Sequence, residues 1–261
     1  MSDPGSGAAV PRAHTQSGTD NSAAARPDGS RARTSWLVLA PCAPHHARMT
    51  AASVPLASSA TESLGDAEVH VWHFAYQREH GRAPLLALLA RYLGGAATDI
   101  RLTVGAHGRP RVEPTPAAQL DFNWSHSGNR AAVALARHVA PGIDLEWLRP
   151  RANVLPLARR FFHPEEVAGL IARPAAERSA AFLELWTAKE AVLKATGRGI
   201  AFGLHRLRVT DDGVLRLAWL DGDDAAAWQL QRLQLDAGYV AALAWRGGAR
   251  RVRVCQLASA P

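Results

Sequence analysis

The stretch GIDLEW, Gly142 to Trp147, sets Asp144 and Glu146 on alternate residues with Ile143 and Leu145 between them. A strand turns its side chains to opposite faces with a period of two, so the apolar pair would face a core while both acids project together. Two like charges so placed are either a solvated strand face or part of a site for a hard, oxygen-liganded cation such as Mg2+. Further along, Trp186, Glu190 and Lys194 recur at every fourth residue of AAERSAAFLELWTAKEAVLKATG and share one side of a helix. Taken alone, Glu190 and Lys194 are the ion pair of an exposed helix. Beside Asp144 and Glu146, Glu190 adds a third carboxylate, and three acids with phosphate and water complete a magnesium shell.

Two shorter stretches carry further chemistry. In WSHSGNR, Ser125 and His126 are adjacent, so a strand points them apart, and no G-x-S-x-G elbow accompanies them. A Ser-His hydrolase is therefore disfavoured. Ser125, His126 and Ser127 suit phosphate hydrogen bonds at the end of a strand, or a turn that satisfies its own backbone. In HGRPRV, Gly108 and Pro110 make a stiff turn from which Arg109 can present its planar fork to a phosphate. The GRG of Gly197 to Gly199 is too little for a phosphate-binding loop and reads as a helix stop with a turn.

The elements that must position these residues follow from periodicity. AEVHVWHFAY predicts a strand, APLLALLARYLG a helix ending at Gly94, and IRLTVGAHGRPRV a hairpin turning at Gly105 and Gly108. GNRAAVALARH predicts a central strand, VLPLARRFF and HPEEVAGLIAR two helical stretches, and the segment containing Glu190 the clearest helix, stopping at Gly197. HRLRVT, VLRLAWL, WQLQRLQLD and YVAALAW predict successive antiparallel strands. Mixed strands and helices thus occur twice, before and after Gly142, which predicts an α+β fold of two halves. The expected division is a flexible Ala/Pro/Ser-rich leader over residues 1–65, in which Trp36 to Leu39 can add one strand and Met49 is an alternative initiator. An N-terminal half follows over 66–140, and a C-terminal half carrying the acids over 141–261.

The totals narrow the function. The 261 residues are 48% hydrophobic, ample for a core, and 30 Lys+Arg against 23 Asp+Glu leave a formal charge of +7. Such a balance favours nucleic acid, a phosphorylated small molecule or an acidic protein as partner. Neither a helix-turn-helix pattern nor interleaved aromatics of an RNA-recognition module is present, which weighs against nucleic acid. Cys42 and Cys255 are too few for a disulfide framework or a thiolate zinc site. No apolar run reaches the ~20 residues of a membrane helix, and the opening MSDPGSGAAVPR is not a signal peptide. The expectation is a cytoplasmic protein without membrane association.

Taken in order, GRP, FNWSHS, GIDLE and WTAKEAVLKATG resemble the motif series of the 4'-phosphopantetheinyl transferases, in particular their large surfactin-synthetase-activating type. The resemblance runs from about Val69 to the C-terminal strands. It implies two pseudo-symmetric α/β halves with coenzyme A in the cleft between them and Mg2+ held by Asp144, Glu146 and Glu190. It implies transfer of phosphopantetheine from coenzyme A to a serine of an acyl or peptidyl carrier protein, with adenosine 3',5'-bisphosphate released. By the same resemblance Glu190 is the candidate base and Lys194 sets its ammonium against the phosphates, with Lys189, off that face, as a lesser helper. Arg109, Ser125 and His126 match positions that contact the nucleotide phosphates. Relatives carry a denser basic series before the first helix, where YQREHGRAPLL offers Arg78, His80 and Arg82. A monomer is expected, since both halves lie in one chain. The competing readings are a basic nucleic-acid-binding protein and a non-catalytic carrier-protein-binding relative that would have lost an acid.

Overall fold

The computed structural model describes residues 63–105, 107–113 and 119–257. The expected leader therefore lies outside the described residues up to residue 62, as do Trp36 to Leu39, Cys42 and Met49. Within the described chain, four layers stack in the order helix, sheet, sheet, helix.

The first sheet is built from β1 (Glu68–Ala75), β4 (Leu120–Ser127), β5 (Arg130–Arg137) and β11 (Arg251–Gln256), in the order β11-β1-β5-β4. Its outer face carries α1 (Ala83–Leu93), whose Leu85, Leu88 and Leu89 pack on Trp72, Phe122 and Val133. The second sheet is β6 (Gly142–Trp147), β10 (Tyr239–Arg246) and β9 (Trp228–Leu233), in the order β6-β10-β9. Between the sheets lies a separate apolar layer in which Val69, Val71, Ala132 and Ala134 meet Ile143, Leu145, Ala241 and Leu243. The central strands β5 and β10 are thus covered on both faces, which is why they read as near-continuous apolar runs.

Outside the second sheet lie α2 (Val154–Phe161), α3 (Pro164–Ala172) and α4 (Ala175–Thr196). Sequence periodicity suggests a single apolar stripe on α4, but residues from Thr187 to Leu193 are all buried. The helix is enclosed because the sheet covers one side while Leu170, Leu207 and Val209 join the same core around it. Two small hairpins complete the chain: β2 (Leu102–Val104) with β3 (Pro110–Val112), and β7 (Leu207–Asp211) with β8 (Leu215–Leu220).

Three features depart from the sequence-based expectations. β4 is a full strand joined to β5 by a two-residue turn, Gly128 and Asn129, with Gly128 at φ 56. A φ of that sign suits a tight hairpin and favours glycine. The last strand, β11, has no counterpart in the predicted elements. It runs parallel to β1, so the chain's end returns to the first sheet. Cys255 on β11 is not a free thiol, so cysteine usage says nothing of the compartment. Among the described residues no helix is long and apolar enough to cross a membrane.

Gly142 decides how closely α4 can approach. A Cβ built there would stand 2.0 Å from the Ala191 carbonyl oxygen and 2.4 Å from the Ala195 nitrogen. The helix backbone therefore lies directly on the strand. Gly142→Ala is expected to destabilise the protein by about 3 kcal/mol or more, read from urea unfolding. An unfolding midpoint equal to that of the wild type would show that α4 does not rest on β6.

Candidate active site

Because Gly142 faces α4, the period of the strand turns Asp144 and Glu146 toward the same helix. Ala191 and Ala195 occupy the contact, and Glu190 and Lys194, each one residue earlier, flank it. The sequence-predicted acids therefore meet. Asp144 is 5% and Glu190 6% exposed. The Ser125 hydroxyl and the Lys194 ammonium each donate to Asp144 Oδ1 at 2.7 Å. Lys194 Nζ also donates to Ser125 Oγ at 3.0 Å and to the Ile143 carbonyl at 3.1 Å. Glu146 Oε2 accepts from Ser127 Oγ at 2.9 Å and from Arg151 at 3.3 Å.

These contacts leave part of the negative charge unanswered. Asp144 Oδ2 and Glu190 Oε1 are buried without a hydrogen-bond partner. Burial, and then repulsion from Asp144, push the Glu190 carboxyl up to about 7, against the pull of Lys194 and with a further push from Glu146. The Glu146 carboxyl is raised by burial and by Asp144. Buried oxygens with unused lone pairs, close to a third acid, are the donor set of a hard cation. In donor chemistry the three acids suit Mg2+, and Asp144, Glu146 and Glu190 are the side chains that would hold it, although they are not gathered as a ready-made metal cluster. Among the described residues no group of three or more His, Cys, Asp or Glu side chains stands ready to hold a metal ion. The cation at Asp144 is the Lys194 ammonium.

Two predicted phosphate contacts are placed elsewhere. Lys189 is 0% exposed and lies on the far side of α4 from the acids. Its ammonium donates to Glu166 and, at 2.6 Å, to the Leu207 carbonyl, and burial brings it down to about 8. Glu166 in turn accepts from the Val209 nitrogen at 2.8 Å and caps α3. The pair therefore joins α3, α4 and β7. Arg109 is also buried. Its guanidinium donates to the Lys194 carbonyl, to Asp121 at 2.9 Å, to the Phe122 carbonyl at 3.0 Å and to the Pro141 carbonyl at 2.9 Å. The fork expected to receive a phosphate is spent on fastening the end of α4 to β4 and to the entry of β6.

His126 lies on the other face of β4 from Ser125, stacked on Tyr76 at 4.7 Å between ring centres. The two cannot act as nucleophile and base. Burial, Arg78 and Lys194 together lower the imidazole's proton affinity. Arg78 and Arg82 are exposed just before α1. The charge of Arg78 reaches His126. Sequence reasoning overlooked Asn123 and Arg151 and gave Ser127 no contact with the acids. The signal for the first and last of the β4 residues was the period-two polar pattern of FNWSHS, which marks a polar strand face.

Two outcomes follow from this geometry. The folded protein retains a proton on Glu190 between pH 4.5 and about 7 that the unfolded chain releases, so stability falls as pH rises through that window. Glu190→Gln is expected to raise Tm at pH 8 by roughly 2–6 °C and to change it least near pH 4. No gain at pH 8 would mean that the buried charge costs nothing. Arg109→Ala is expected to lose about 2–4 kcal/mol of stability in urea unfolding, since it strands several buried acceptors. An unchanged midpoint would return Arg109 to the candidate phosphate ligands.

The acids and Lys194 lie in a stretch of the chain that matches known proteins. A family model described as the 4'-phosphopantetheinyl transferase superfamily matches residues 140–244. A putative 4'-phosphopantetheinyl transferase of Synechocystis is 37% identical over 171 residues, covering 63% of this chain and 69% of the relative. The 4'-phosphopantetheinyl transferase HetI of Nostoc is 37% identical over 168 residues, covering 64% and 69% respectively. The corresponding enzyme Sfp of Bacillus subtilis is 28% identical over 172 residues, covering 63% and 74%. A solved holo-[acyl-carrier-protein] synthase of Thermotoga maritima aligns over 42% of this chain and 63% of that one, at 19% identity and a TM-score of 0.34, too low to support any correspondence of residues. With acids, lysine and glycine contact standing inside the matched segment, the chain belongs to the 4'-phosphopantetheinyl transferase superfamily and is an enzyme of that class.

Proposed function

We propose that this enzyme transfers the 4'-phosphopantetheine group of coenzyme A to a serine of an acyl or peptidyl carrier protein, in a Mg2+-dependent reaction. The observation that carries the proposal is the pair of buried, unpartnered oxygens, Asp144 Oδ2 and Glu190 Oε1, inside a field of three acids. The serine oxygen attacks the β-phosphorus of coenzyme A. The bond from that phosphorus to the bridging oxygen breaks, and adenosine 3',5'-bisphosphate leaves with the electron pair. A bound Mg2+ would offset the charge that builds on the pyrophosphate oxygens.

The chain's own residues prepare this step. Glu190, with its carboxyl near 7, is poised to take the serine proton at neutral pH. A carboxylate that shares an oxygen with a metal is a weaker base, so the proton reaches Glu190 either directly or through water. Lys194 pairs with Asp144 and stands one turn from Glu190, where its charge also serves the phosphates. His126 and Arg78, on the first sheet's outer side, supply the remaining polar contacts for the nucleotide. The halves 66–140 and 141–261 are the two walls of the cleft, except that β11 returns to complete the first. The formal charge of +7 suits an acidic carrier, with steering that weakens as salt shortens the Debye length to ~8 Å. A non-catalytic relative would lack one acid, whereas all three are present. We further propose a cytoplasmic monomer that engages neither nucleic acid nor membrane.

Intact-protein mass spectrometry of apo carrier proteins incubated with the enzyme, coenzyme A and Mg2+ tests this. One added phosphopantetheinyl group, abolished by EDTA, is the expected result. Asp144→Ala and Glu190→Ala are each expected to lose at least about 100-fold in turnover while remaining folded. No mass gain on any carrier, from folded enzyme that binds coenzyme A, would overturn the proposal.

A further inference from the structure

Strand β6 is paired with β10 along one edge only, and its other edge faces β4 of the neighbouring sheet. No backbone ladder joins β4 to β6. Alternate side chains of β4 take its place. Asn123 Oδ1 accepts from the Ile143 nitrogen at 2.9 Å, Ser125 donates to Asp144, and Ser127 Oγ accepts from the Trp147 nitrogen at 3.1 Å while donating to Glu146 Oε2 at 2.9 Å. Of three polar residues at a spacing of two, Asn123 and Ser127 thus satisfy backbone N–H groups of the open strand edge, and Ser125 and Ser127 touch the two acids that the strand presents.

We propose that Ser127 is a positioning residue for the metal-binding acids, acting through Glu146. The inference rests on the reading of Asp144, Glu146 and Glu190 as metal ligands. A serine hydroxyl has one proton and two lone pairs. With the Trp147 N–H directed at a lone pair, the proton is left to Glu146, so one side chain ties the backbone and the carboxylate of the same strand end. The contact defines which oxygen of Glu146 is committed to the protein and which is left for a ligand. Arg151, the other group on Glu146 Oε2, is longer at 3.3 Å and its side chain is 32% exposed, so it holds the carboxylate less firmly. Asn123 plays the matching part at the strand's other end, where it fixes Ile143 and hence the register of Asp144 without touching an acid. Hydrogen-bond partners of this kind orient a ligand before the metal arrives, and their loss typically costs about 10–100-fold in metal affinity.

The test separates this from a merely structural serine. Mn2+ binding, by water-proton relaxation with and without coenzyme A, is compared among wild type, Ser127→Ala and Ser127→Thr, beside Mg2+ titration of transfer and the KM for coenzyme A at saturating Mg2+. Ser127→Ala is expected to weaken Mn2+ binding about 10-fold, to raise the Mg2+ half-saturation by a similar factor and to leave the KM for coenzyme A within about twofold. Ser127→Thr, which keeps the hydroxyl, is expected to restore both metal readouts. Unchanged Mn2+ binding in Ser127→Ala overturns the proposal, whether or not Tm falls, and so does a threonine variant as impaired as alanine. Wild-type protein that takes up no Mn2+ removes the metal assignment and this proposal together; wild-type binding matched by Ser127→Ala removes this proposal alone.

Discussion

Helix α4 lies on strand β6 at a point where no side chain fits, and the site takes its shape from that contact. Gly142 leaves room for the backbone at Ala191 and Ala195. With small residues at the touching points, the next side chains on each element are brought to their shortest separation. On the strand these are Asp144 and Glu146; on the helix they are Glu190 and Lys194. The alternation of a strand and the turn of a helix are both rigid repeats, so fixing one point of contact fixes the neighbours as well.

The arrangement concentrates negative charge in a buried place, and the answer to that charge is incomplete. Lys194, Arg151, Ser125 and Ser127 satisfy one oxygen each of Asp144 and Glu146, and two buried oxygens, on Asp144 and Glu190, are without a partner. The protein accommodates the remainder by keeping a proton on Glu190 up to about pH 7. Its neighbour in sequence provides the contrast. Lys189 is more deeply buried, yet its charge is paired with Glu166 and its ammonium also donates to the Leu207 carbonyl, so the pair is a fastening between α3, α4 and β7. One turn of α4 therefore carries a matched charge on its core side and an unmatched one on its site side.

The two sheets are held in relation by polar groups as well as by the apolar layer between them. Arg109 ties the end of α4 to β4 and to Pro141, just ahead of β6, and the odd-numbered side chains of β4 bond to β6. At the other edge, β11 returns to pair with β1. The acids thus stand on an element braced from both halves, and small displacements of either half would be felt at the carboxylates.

Much of this was readable in the chain. The period-two acids of GIDLEW, the fourth-residue spacing of Glu190 and Lys194, the hairpin glycines and the stop at Gly197 are all local patterns, set by backbone geometry over a few residues. The order of the motifs pointed to the family for the same reason. Arg109 looked like a ligand because a guanidinium on a tight turn is suited to phosphate, and nothing nearby in sequence reveals that Lys194, Asp121, Phe122 and Pro141 claim it. Lys189 likewise gave no sign of Glu166, and the alternating Asn123, Ser125 and Ser127 gave no sign of which strand they would join. By itself the sequence determined which side chains share a face of each strand and helix, because that depends on repeats of two and 3.6 residues. Only the tertiary structure decided which faces meet, because buried charges and open strand edges find their partners far along the chain.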